Sequence, residues 1–456
     1  MDYDVIVLGG GSAGSSAASA ASAAGARTLM INDGELGGLC ILRGCMPTKT
    51  LLATAHAVHE AEQLERLGAR LEGRAIPDFQ RIMARKDAAV ARFKKAKVDT
   101  IEASDYEVLD GRGRFVAGGG VSVNGKTLTA RSYVIATGSV PAKLPISGID
   151  DVPVLDSDGV MRLEQQPRAL VVQGAGAVGL ELAQFFARIG TCVTLVSRSP
   201  LLSKVDADCG AELQRALVLD RRLELLLPAT IERVRPEGAG LSATILGDGA
   251  TREVSADALL MAAGRTAALG GIGLEHAGVE TMDCRIEHDP QMRTSNPNVF
   301  VAGDATGSYQ ILHLANQEAR IAGHNAANGA ERTMDYRLKM RVIFTDPPFA
   351  QVGLTELEAQ RQGRKIIVAR ENFPETGRAI TMGVRHGLWK VVADPQTGEI
   401  LGTSILGPRA DDLAHLISTL MYYRGTAANL LELPWYHPTL SEVLMGIGRR
   451  LVGKTG

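Results

Sequence analysis

Two cysteines separated by four residues, Cys40 and Cys45, are the first feature of the sequence that could carry chemistry. Gly44 between them and Pro47 after them indicate a loop that enters a helix, because proline is favoured in the first turn of a helix. A thiolate near that terminus would be stabilised by the helix dipole, and a disulfide within the pair would be readily exchangeable. The alternative is a pair of buried, inert cysteines.

A second candidate for chemistry is His437, within the string YHPTLSE at residues 436–442. Thiol–disulfide exchange needs a group that accepts and returns a proton near neutral pH, and histidine is suited to this. The carboxylate of Glu442 could fix the tautomer of the imidazole and raise its basicity. A capping or core histidine is the alternative. His313 is a weaker second candidate, and we expect His56 and His59 to be exposed on a charge-rich helical stretch.

A pattern of glycines occurs twice, each time between an apolar strand-like run and an apolar helix that leads to a second strand. Its members are Gly9, Gly11 and Gly14 in the first copy and Gly174, Gly176 and Gly179 in the second. In such a turn the first glycine makes the bend, the second lets backbone approach a pyrophosphate, and the third lets helix and strand pack closely. Either copy alone could be an ordinary loop, but two correctly flanked copies predict two dinucleotide-binding sites.

The residues that close the second strand of each copy predict which nucleotide binds. An Asp or Glu is usual there for a free 2′-hydroxyl. The first copy has Asn32, which can hydrogen-bond a diol without a charge. The second copy has Ser197 and Arg198, which favour NADP over NAD because no carboxylate repels a 2′-phosphate and the guanidinium could pair with it. The alternative is a solvated Arg198 with NAD bound through backbone contacts.

The composition is that of a large globular protein. At about 150 residues per domain, 456 residues predict about three domains. Hydrophobic residues at 45% and charged residues at 22% exclude a disordered or fibrous chain. A net charge of −2 gives no long-range attraction to nucleic acid or an acidic membrane. Five cysteines are too few for a disulfide scaffold, and with neither a signal-like start nor a long apolar run they predict a soluble, cytoplasmic protein.

Together these motifs resemble those of the flavoprotein pyridine nucleotide-disulfide oxidoreductases, the class I group that includes lipoamide dehydrogenase, glutathione reductase and mercuric reductase. The resemblance covers essentially the whole chain and is greatest to lipoamide dehydrogenase. Beyond the two turns, the cysteine pair and the His437 string, it rests on Ala136-Thr137-Gly138, Gly264-Arg265, residues 294–304 and Phe344-Thr345-Asp346-Pro347.

The resemblance implies an α/β fold with two Rossmann-like dinucleotide-binding domains, for FAD and NAD(P), and a C-terminal α+β dimerisation domain. The implied boundaries are 1–145 for the first part of the FAD domain, 146–268 for the NAD(P) domain, 269–335 for the second part of the FAD or central domain, and 336–456 for the dimer interface.

The resemblance also assigns roles to residues. Cys45 would face the flavin, Cys40 would exchange with substrate, and His437 with Glu442 would act from the partner subunit of a homodimer, with a cis His437–Pro438 bond. Lys49 and Glu181 resemble the family's pair near the reactive edge of the flavin. The remaining positions implied in cofactor binding are Thr137, Gly138, Gly264, Gly303 and Asp304, of which Asp304 would bind the ribityl chain. No metal is implied. Cys192, Cys209 and Cys284 are expected to be bystanders.

The implied activity is electron exchange between NAD(P)H, FAD, the Cys40–Cys45 disulfide and an external dithiol or disulfide, with lipoamide or a lipoyl protein as first substrate. The alternatives are an NADPH-dependent reductase of a low-molecular-weight disulfide, as in glutathione reductase, or a mercuric reductase-like enzyme. A flavin transhydrogenase or NAD(P)H oxidase is disfavoured because it needs neither a second thiol nor His437. A flavin-binding scaffold without activity is disfavoured further. Trp435 and Tyr436, two bulky rings before His437, are unusual for lipoamide dehydrogenases and could reshape the substrate channel.

Overall fold

A computed structural model describes residues 1–329 and 331–455. The chain divides into two compact units. Unit 1 contains residues 1–50, 83–142 and 264–335, and unit 2 contains residues 51–82, 143–263 and 336–456. The four-part division implied by the sequence stays a prediction.

The strands are, in chain order, β1 (Tyr3–Leu8), β2 (Thr28–Asn32), β3 (Glu107–Asp110), β4 (Arg114–Phe115), β5 (Val121–Val123), β6 (Lys126–Leu128), β7 (Ala130–Ile135), β8 (Ser139–Pro141), β9 (Val154–Leu155), β10 (Ala169–Gln173), β11 (Cys192–Val196), β12 (Leu223–Leu226), β13 (Ala229–Glu237), β14 (Gly240–Gly247), β15 (Ala250–Ala256), β16 (Ala258–Met261), β17 (Arg265–Ala267), β18 (Thr281–Met282), β19 (Arg285–Ile286), β20 (Val299–Val301), β21 (Met340–Ile343), β22 (Phe349–Gly353), β23 (Ile367–Asn372), β24 (Leu388–Ala393) and β25 (Ile400–Leu406).

The α-helices are α1 (Ser12–Ala23), α2 (Gly38–Leu42), α3 (Cys45–Glu62), α4 (Phe79–Glu102), α5 (Ser157–Val160), α6 (Ala177–Arg188), α7 (Ala207–Leu217), α8 (Leu274–Ala277), α9 (Leu312–Asn328), α10 (Glu356–Arg361), α11 (Gly377–Thr381), α12 (Ala410–Tyr422), α13 (Ala427–Glu432) and α14 (Val443–Val452). Within this described part of the chain, no helix is both long and apolar enough to cross a membrane.

Unit 1 is built on a parallel five-stranded sheet with the order β20-β7-β1-β2-β3. Its central strand β1 pairs with β2 from Val5 opposite Thr28, and the two strands are joined through helix α1, as in a βαβ unit. The residues of β1 from Val5 to Leu8 are fully or almost fully buried, as expected for a strand covered on both faces. A small antiparallel sheet, β4-β5-β6, belongs to the same unit.

Unit 2 repeats the parallel architecture in the order β12-β11-β10-β16-β9. The antiparallel sheet β13-β14-β15 belongs to it, and one apolar core includes residues of both sheets, among them Val171, Leu259 and Ile245. The predicted pair of Rossmann-like folds in an α/β chain is therefore confirmed.

The C-terminal part of unit 2 contains an antiparallel sheet with the order β21-β22-β25-β24-β23. Helices α12, α13 and α14 contribute to its core, which includes the fully buried Trp389 of β24. The indole of Trp389 donates a hydrogen bond of 2.9 Å to the Thr403 hydroxyl of β25, so its polar atom is satisfied inside the core. This part of the chain is the α+β architecture that the sequence predicts.

Candidate active site

The first glycine-rich turn has the backbone geometry that a pyrophosphate-binding turn requires. Gly9 has φ +114°, and a Cβ there would lie 2.2 Å from the carbonyl oxygen of Ala136, which directly follows the neighbouring strand β7. A Cβ on Gly14 would lie 1.7 Å from the Gly9 oxygen, whereas a Cβ on Gly11 would meet nothing nearer than 3.7 Å. The first and third glycines therefore serve the packing of the turn, and the second leaves open space for a ligand.

The second turn has similar backbone geometry to the first. Gly174 has φ +112°, and its Cβ would lie 2.4 Å from the Ala262 oxygen. A Cβ on Gly179 would lie 1.9 Å from the Gly174 oxygen. A Cβ on Gly176 would have no atom of the described residues within 4 Å. Both turns open helices of twelve residues, α1 and α6, whose first amides are free to bind an anion.

Two further groups in unit 1 fit a bound dinucleotide. Asn32 is buried at the end of β2, and its amide donates a hydrogen bond of 2.5 Å to the Gly34 oxygen. The Thr137 hydroxyl is buried, and among the residues that the structure describes it has no hydrogen-bond partner. Since buried hydroxyls are normally satisfied, this orphan fits a ligand atom next to the Thr137-Gly138 segment, where Gly138 has φ +78° and open space at its Cβ.

Asp304 belongs to a hydrogen-bonded chain that the sequence did not reveal. The Ser139 hydroxyl donates to the Asp304 carboxylate at 2.5 Å and accepts from Nε of Arg265 at 2.8 Å. A second Arg265 nitrogen donates to the Ser139 carbonyl at 2.8 Å. The adjacent Gly303 is fixed through its amide, which donates to the fully buried Glu318 at 2.9 Å. The motif containing Arg265 was visible in the sequence, but nothing there indicated that Ser139 links it to Asp304.

Cys40 and Cys45 lie where a short helix meets a long one. Cys40 is in α2, and Cys45 is the first residue of the eighteen-residue helix α3, as the sequence predicted. Cys40 is buried, and Cys45 is partly exposed. A hydrogen bond with Cys45, then burial, raises the pKa of the Cys40 thiol far above its ordinary value, and Lys49 opposes this only weakly. The proton of Cys40 is therefore held more tightly than that of an ordinary cysteine.

Lys49 and Glu181 lie in different units of the chain, and their pairing stays a prediction. Lys49 is one helical turn after Cys45 on α3 and is partly exposed. Glu181 lies in α6 and is 2% exposed, and its carboxylate accepts a hydrogen bond of 3.0 Å from the Phe344 amide.

His437 forms the predicted pair with Glu442. Its Nδ1 lies 2.8 Å from the Glu442 carboxylate, so Nδ1 carries the proton of the neutral imidazole and Nε2 is the acceptor. The side chain of His437 is 76% exposed and that of Glu442 is 14% exposed. The His437–Pro438 bond is cis, as the resemblance implied. A Cβ on Gly377 would lie 3.5 Å from the imidazole Cε1, so this glycine lines one side of the ring.

The residues expected to select the nucleotide lie in the loop after β11. The Ser197 hydroxyl donates to the Ser199 oxygen at 3.0 Å and accepts from the Ser199 amide at 3.3 Å, which folds the loop on itself. Arg198 between them is exposed, and Lys204 is exposed six residues further along the same loop. Gly264 has φ +110° and open space at its Cβ, as a backbone position near a ligand requires.

The expectation that His56 and His59 are exposed is wrong. Both are partly buried in unit 2, and His59 lies 3.6 Å from Asp220. The Nε2 atom of His56 is buried and has no hydrogen-bond partner within residues 1–329 and 331–455. Burial, then the charge of Arg188, lowers the pKa of both imidazoles. Charge-rich neighbours in the sequence could not predict this, because the partners come from α6 and from residues after α7.

The whole chain is similar to flavin-dependent disulfide reductases. Residues 3–319 match the family model described as pyridine nucleotide-disulphide oxidoreductase, and residues 340–446 match the dimerisation domain of the same family. The chain belongs to the pyridine nucleotide-disulphide oxidoreductases. It is a class I member of this family and an enzyme that requires FAD and a pyridine nucleotide.

Individual relatives of this oxidoreductase have different names. It is 35% identical to a dihydrolipoyl dehydrogenase of Thermus scotoductus, with 97% of this chain and 96% of the relative covered. It is 34% identical to a mercuric reductase of Streptomyces lividans, with 97% and 94% covered. Among solved structures, it is similar to the Cu(II) complex of RclA, an HOCl-induced flavoprotein disulfide reductase from Escherichia coli, with TM-score 0.83, 27% identity and 99% of each chain covered.

Proposed function

We propose that this oxidoreductase moves electrons between NAD(P)H and a dithiol or disulfide substrate through the Cys40–Cys45 pair, with lipoamide or a protein-bound lipoyl group as the first candidate substrate. The observation that carries the proposal is the cysteine pair itself. Cys45 begins the eighteen-residue helix α3, and its side chain shares a hydrogen bond with that of the buried Cys40, so the two sulphurs are close together. Inert structural cysteines would need neither feature.

The residues of unit 1 suit FAD, and those of unit 2 suit the nicotinamide nucleotide. The Gly9–Gly14 turn would hold the FAD pyrophosphate, with Asn32, Thr137, Gly303 and Asp304 as further contacts. When bound, FAD would supply the hydride-transfer chemistry that links NAD(P)H to the cysteine disulfide. The protein contributes the placement of its thiols and the control of their protonation.

In the reductive direction, His437 takes the proton of Cys40, and the resulting Cys40 thiolate attacks one sulphur of the external disulfide. A Cys40–substrate bond forms, the substrate disulfide bond breaks, and the leaving thiolate takes a proton from His437. Cys45 then gives its proton to His437, and its thiolate attacks the Cys40 sulphur. This step forms the Cys40–Cys45 disulfide and releases the second substrate thiolate, which takes that proton from His437. The substrate gains two electrons and two protons, and the cysteine pair loses them. In the lipoamide direction every step is reversed, and His437 accepts the proton of the dithiol.

We infer that His437 acts in a homodimer, on the cysteines of the partner subunit. Support comes from the match to the dimerisation domain and from the 76% exposure of an imidazole whose Nδ1 is held by Glu442. This hydrogen bond turns the proton-accepting Nε2 away from the carboxylate.

NADP is the favoured nucleotide, and the argument is electrostatic. The loop after β11 carries Arg198 and Lys204, both exposed, and no carboxylate at the strand end that would repel a 2′-phosphate. NAD remains the alternative, since Arg198 has no hydrogen bond within the described chain that fixes it in advance.

Two substrate alternatives follow from specific observations. Trp435 is anchored by a hydrogen bond of 2.7 Å from its indole to the Leu430 oxygen, whereas Tyr436 is 80% exposed next to His437. A bulky ring at this position favours a small disulfide over a lipoyl group on a protein domain. The similarity to a mercuric reductase supports a thiol-bound metal ion as the other alternative.

The deciding experiment is anaerobic reduction of the FAD-loaded protein with NADH or NADPH, followed by reoxidation with lipoamide, glutathione disulfide or Hg²⁺. The native protein should gain two titratable thiols on reduction, and one of the three oxidants should restore the oxidised spectrum fastest. Cys45→Ala should still bind FAD and accept hydride but should not turn over disulfides. Full disulfide turnover by Cys45→Ala, or no gain of thiols in the native protein, would refute the proposal in favour of a transhydrogenase or oxidase.

A further inference from the structure

The Asp304 carboxylate is contacted by a serine from a distant part of the chain. Asp304 lies in a short 3₁₀ helix, Gly303–Thr306, that follows strand β20. Ser139 is the first residue of β8, and its hydroxyl donates a hydrogen bond of 2.5 Å to Oδ2 of Asp304 across 165 positions of the chain. Both residues belong to unit 1, so the contact forms within one compact unit.

The main chain around Asp304 is fixed by hydrogen bonds of its own. The Gly303 amide donates to the buried Glu318 carboxylate at 2.9 Å, and the Gly303 carbonyl accepts from the Thr306 hydroxyl at 2.9 Å. The Asp304 carbonyl accepts from the Gly307 amide at 3.1 Å. These bonds hold the backbone on both sides of Asp304, but they do not fix the torsions of its side chain. A bond to the carboxylate itself is needed for that.

The single proton of the Ser139 hydroxyl is directed to Asp304 by its other neighbour. Nε of Arg265 lies 2.8 Å from the hydroxyl oxygen and can only donate, so the oxygen accepts there. The proton is then available to the carboxylate, whose oxygens accept, and the charge strengthens the bond. The bond is made to Oδ2, so it does not occupy Oδ1 of Asp304.

Ser139 is itself held firmly, next to the segment that fits a ligand. Strand β8 pairs with β17, with Ser139 opposite Ala267, and the Ala268 amide donates to the Gly138 carbonyl at 2.9 Å. The buried Thr137 hydroxyl, which has no hydrogen-bond partner among the described residues, lies two positions before Ser139. The serine therefore links this segment to the carboxylate.

We propose that Ser139 is a positioning residue that holds the Asp304 carboxylate ready for FAD. With Oδ2 bound to Ser139, Oδ1 is held in one position, from which it can accept a hydrogen bond from a hydroxyl of the ribityl chain. The inference rests on the proposed function, in which Asp304 contacts FAD, and adds the residue that orients this contact. Without the Ser139 hydroxyl, Asp304 would keep its charge but rotate more freely, and binding FAD would have to restrict that rotation.

The test is a double-mutant cycle of Ser139→Ala and Asp304→Ala. The measured quantity is the rate at which the FAD-loaded protein releases FAD on dilution, followed by the fluorescence of free flavin without nucleotide or disulfide. Ser139→Ala removes the hydroxyl but keeps the main-chain carbonyl that accepts from Arg265 at 2.8 Å. We expect it to speed release about tenfold, the factor expected for losing a hydrogen bond to a charged group. In the Asp304→Ala background, the same change should speed release less than about twofold.

Two further variants separate positioning from a general loss of structure. Ser139→Thr keeps the hydroxyl and should release FAD within about twofold of the native rate. Thr129→Val is the matched control, because Thr129 is also a half-buried residue of unit 1 whose hydroxyl donates to an aspartate, that of Asp2, at 3.0 Å. It should leave the release of FAD unchanged. If Ser139→Ala does not fold, Ser139→Cys, whose thiol is a weak donor, takes its place in the cycle.

An unchanged release rate in Ser139→Ala, or an equal acceleration in both backgrounds, would overturn the inference while leaving Asp304 as a contact of FAD. Release that is also unchanged in Asp304→Ala would overturn both the inference and the proposed contact. Thiol titration and disulfide-dependent reoxidation test the electron transfer separately, so the failures are distinguishable.

Discussion

The pKa of the Cys40 thiol depends on the residues that surround it. Cys40 is buried in α2, and the pKa of its thiol is raised first by a hydrogen bond with Cys45, the first residue of α3, and then by burial. The spacing of the two cysteines and the nearby Pro47 were enough to predict the loop-to-helix transition. They could not predict the raised pKa of the Cys40 thiol, because that depends on the burial of Cys40 and on the hydrogen bond between the two cysteines.

Replacing Arg198 tests whether this side chain selects NADPH over NADH. Replacing Arg198 with Ala should lower kcat/KM for NADPH by about 10- to 100-fold, since a charge-assisted hydrogen bond to a phosphate is worth about 1.5–3 kcal/mol. The kcat/KM for NADH should change little, because its ribose carries no phosphate. Lys204→Ala, in the same loop, measures how much Lys204 also contributes to kcat/KM for NADPH. If NADH reduces the native protein faster than NADPH does, Arg198 has no part in selectivity.

His56 gives the stability of the protein a defined pH dependence. Its pKa is lowered in the folded state by burial and by Arg188, so the unfolded chain binds more protons once the pH falls below the ordinary imidazole pKa of 6.5. The stabilisation is present above that pH and is lost as the pH falls toward the lower folded pKa. We expect the urea midpoint of His56→Gln to fall less between pH 7 and pH 5 than that of the native protein. Equal slopes would show that the imidazole does not titrate in this range.

Substitutions in the glycine-rich turn between β10 and α6 can separate an effect on folding from an effect on nucleotide binding. Gly176 has φ −79° and open space at its Cβ, so Gly176→Ala should leave the unfolding temperature within a few degrees of that of the native protein. It should nevertheless weaken NADP⁺ binding at least about tenfold, because the methyl group would occupy the space that lets backbone approach a pyrophosphate. Unchanged nucleotide affinity, measured by calorimetry, would mean that no pyrophosphate binds there.

Gly179→Ala is the contrasting change in the same element. Its Cβ would lie 1.9 Å from the Gly174 oxygen, so helix α6 would have to move away from β10, and stability should fall together with nucleotide affinity. The corresponding pair of substitutions in the first turn is Gly11→Ala and Gly14→Ala, and their effect is measured as the amount of FAD that the purified protein retains.

Elements that depend on local pattern were predictable, and contacts made over long distances in the chain were not. The two turns, the start of α3 and the His437–Glu442 pair follow from spacing within a few residues. The Ser139–Asp304 hydrogen bond joins positions 165 residues apart, and the hydrogen bond from the Gln184 side chain to the Asp346 carbonyl joins positions 162 residues apart. A sequence pattern within a few residues cannot predict such pairs, because they form only when the sheets and helices of a unit pack together.

At the scale of the whole molecule, the proposed homodimer predicts complementation between two inactive variants. Cys45→Ala and His437→Gln should each lose most disulfide turnover. Refolded together in equal amounts, random pairing would put both intact residues at one site of each mixed dimer and restore about a quarter of the native activity. A mixture that stays inactive while sedimentation shows mixed dimers would mean that each chain uses its own His437.

The near identity of the two glycine-rich turns limits how the protein can be inhibited. Gly9 and Gly174 have φ values of +114° and +112°. In each turn, a side chain at the third glycine would clash with the carbonyl oxygen of the first glycine. A compound that mimics only a pyrophosphate would therefore compete with both nucleotides at once. A selective inhibitor must reach beyond the turn to the end of the second strand, where buried Asn32 in one copy and exposed Arg198 in the other offer different chemistry.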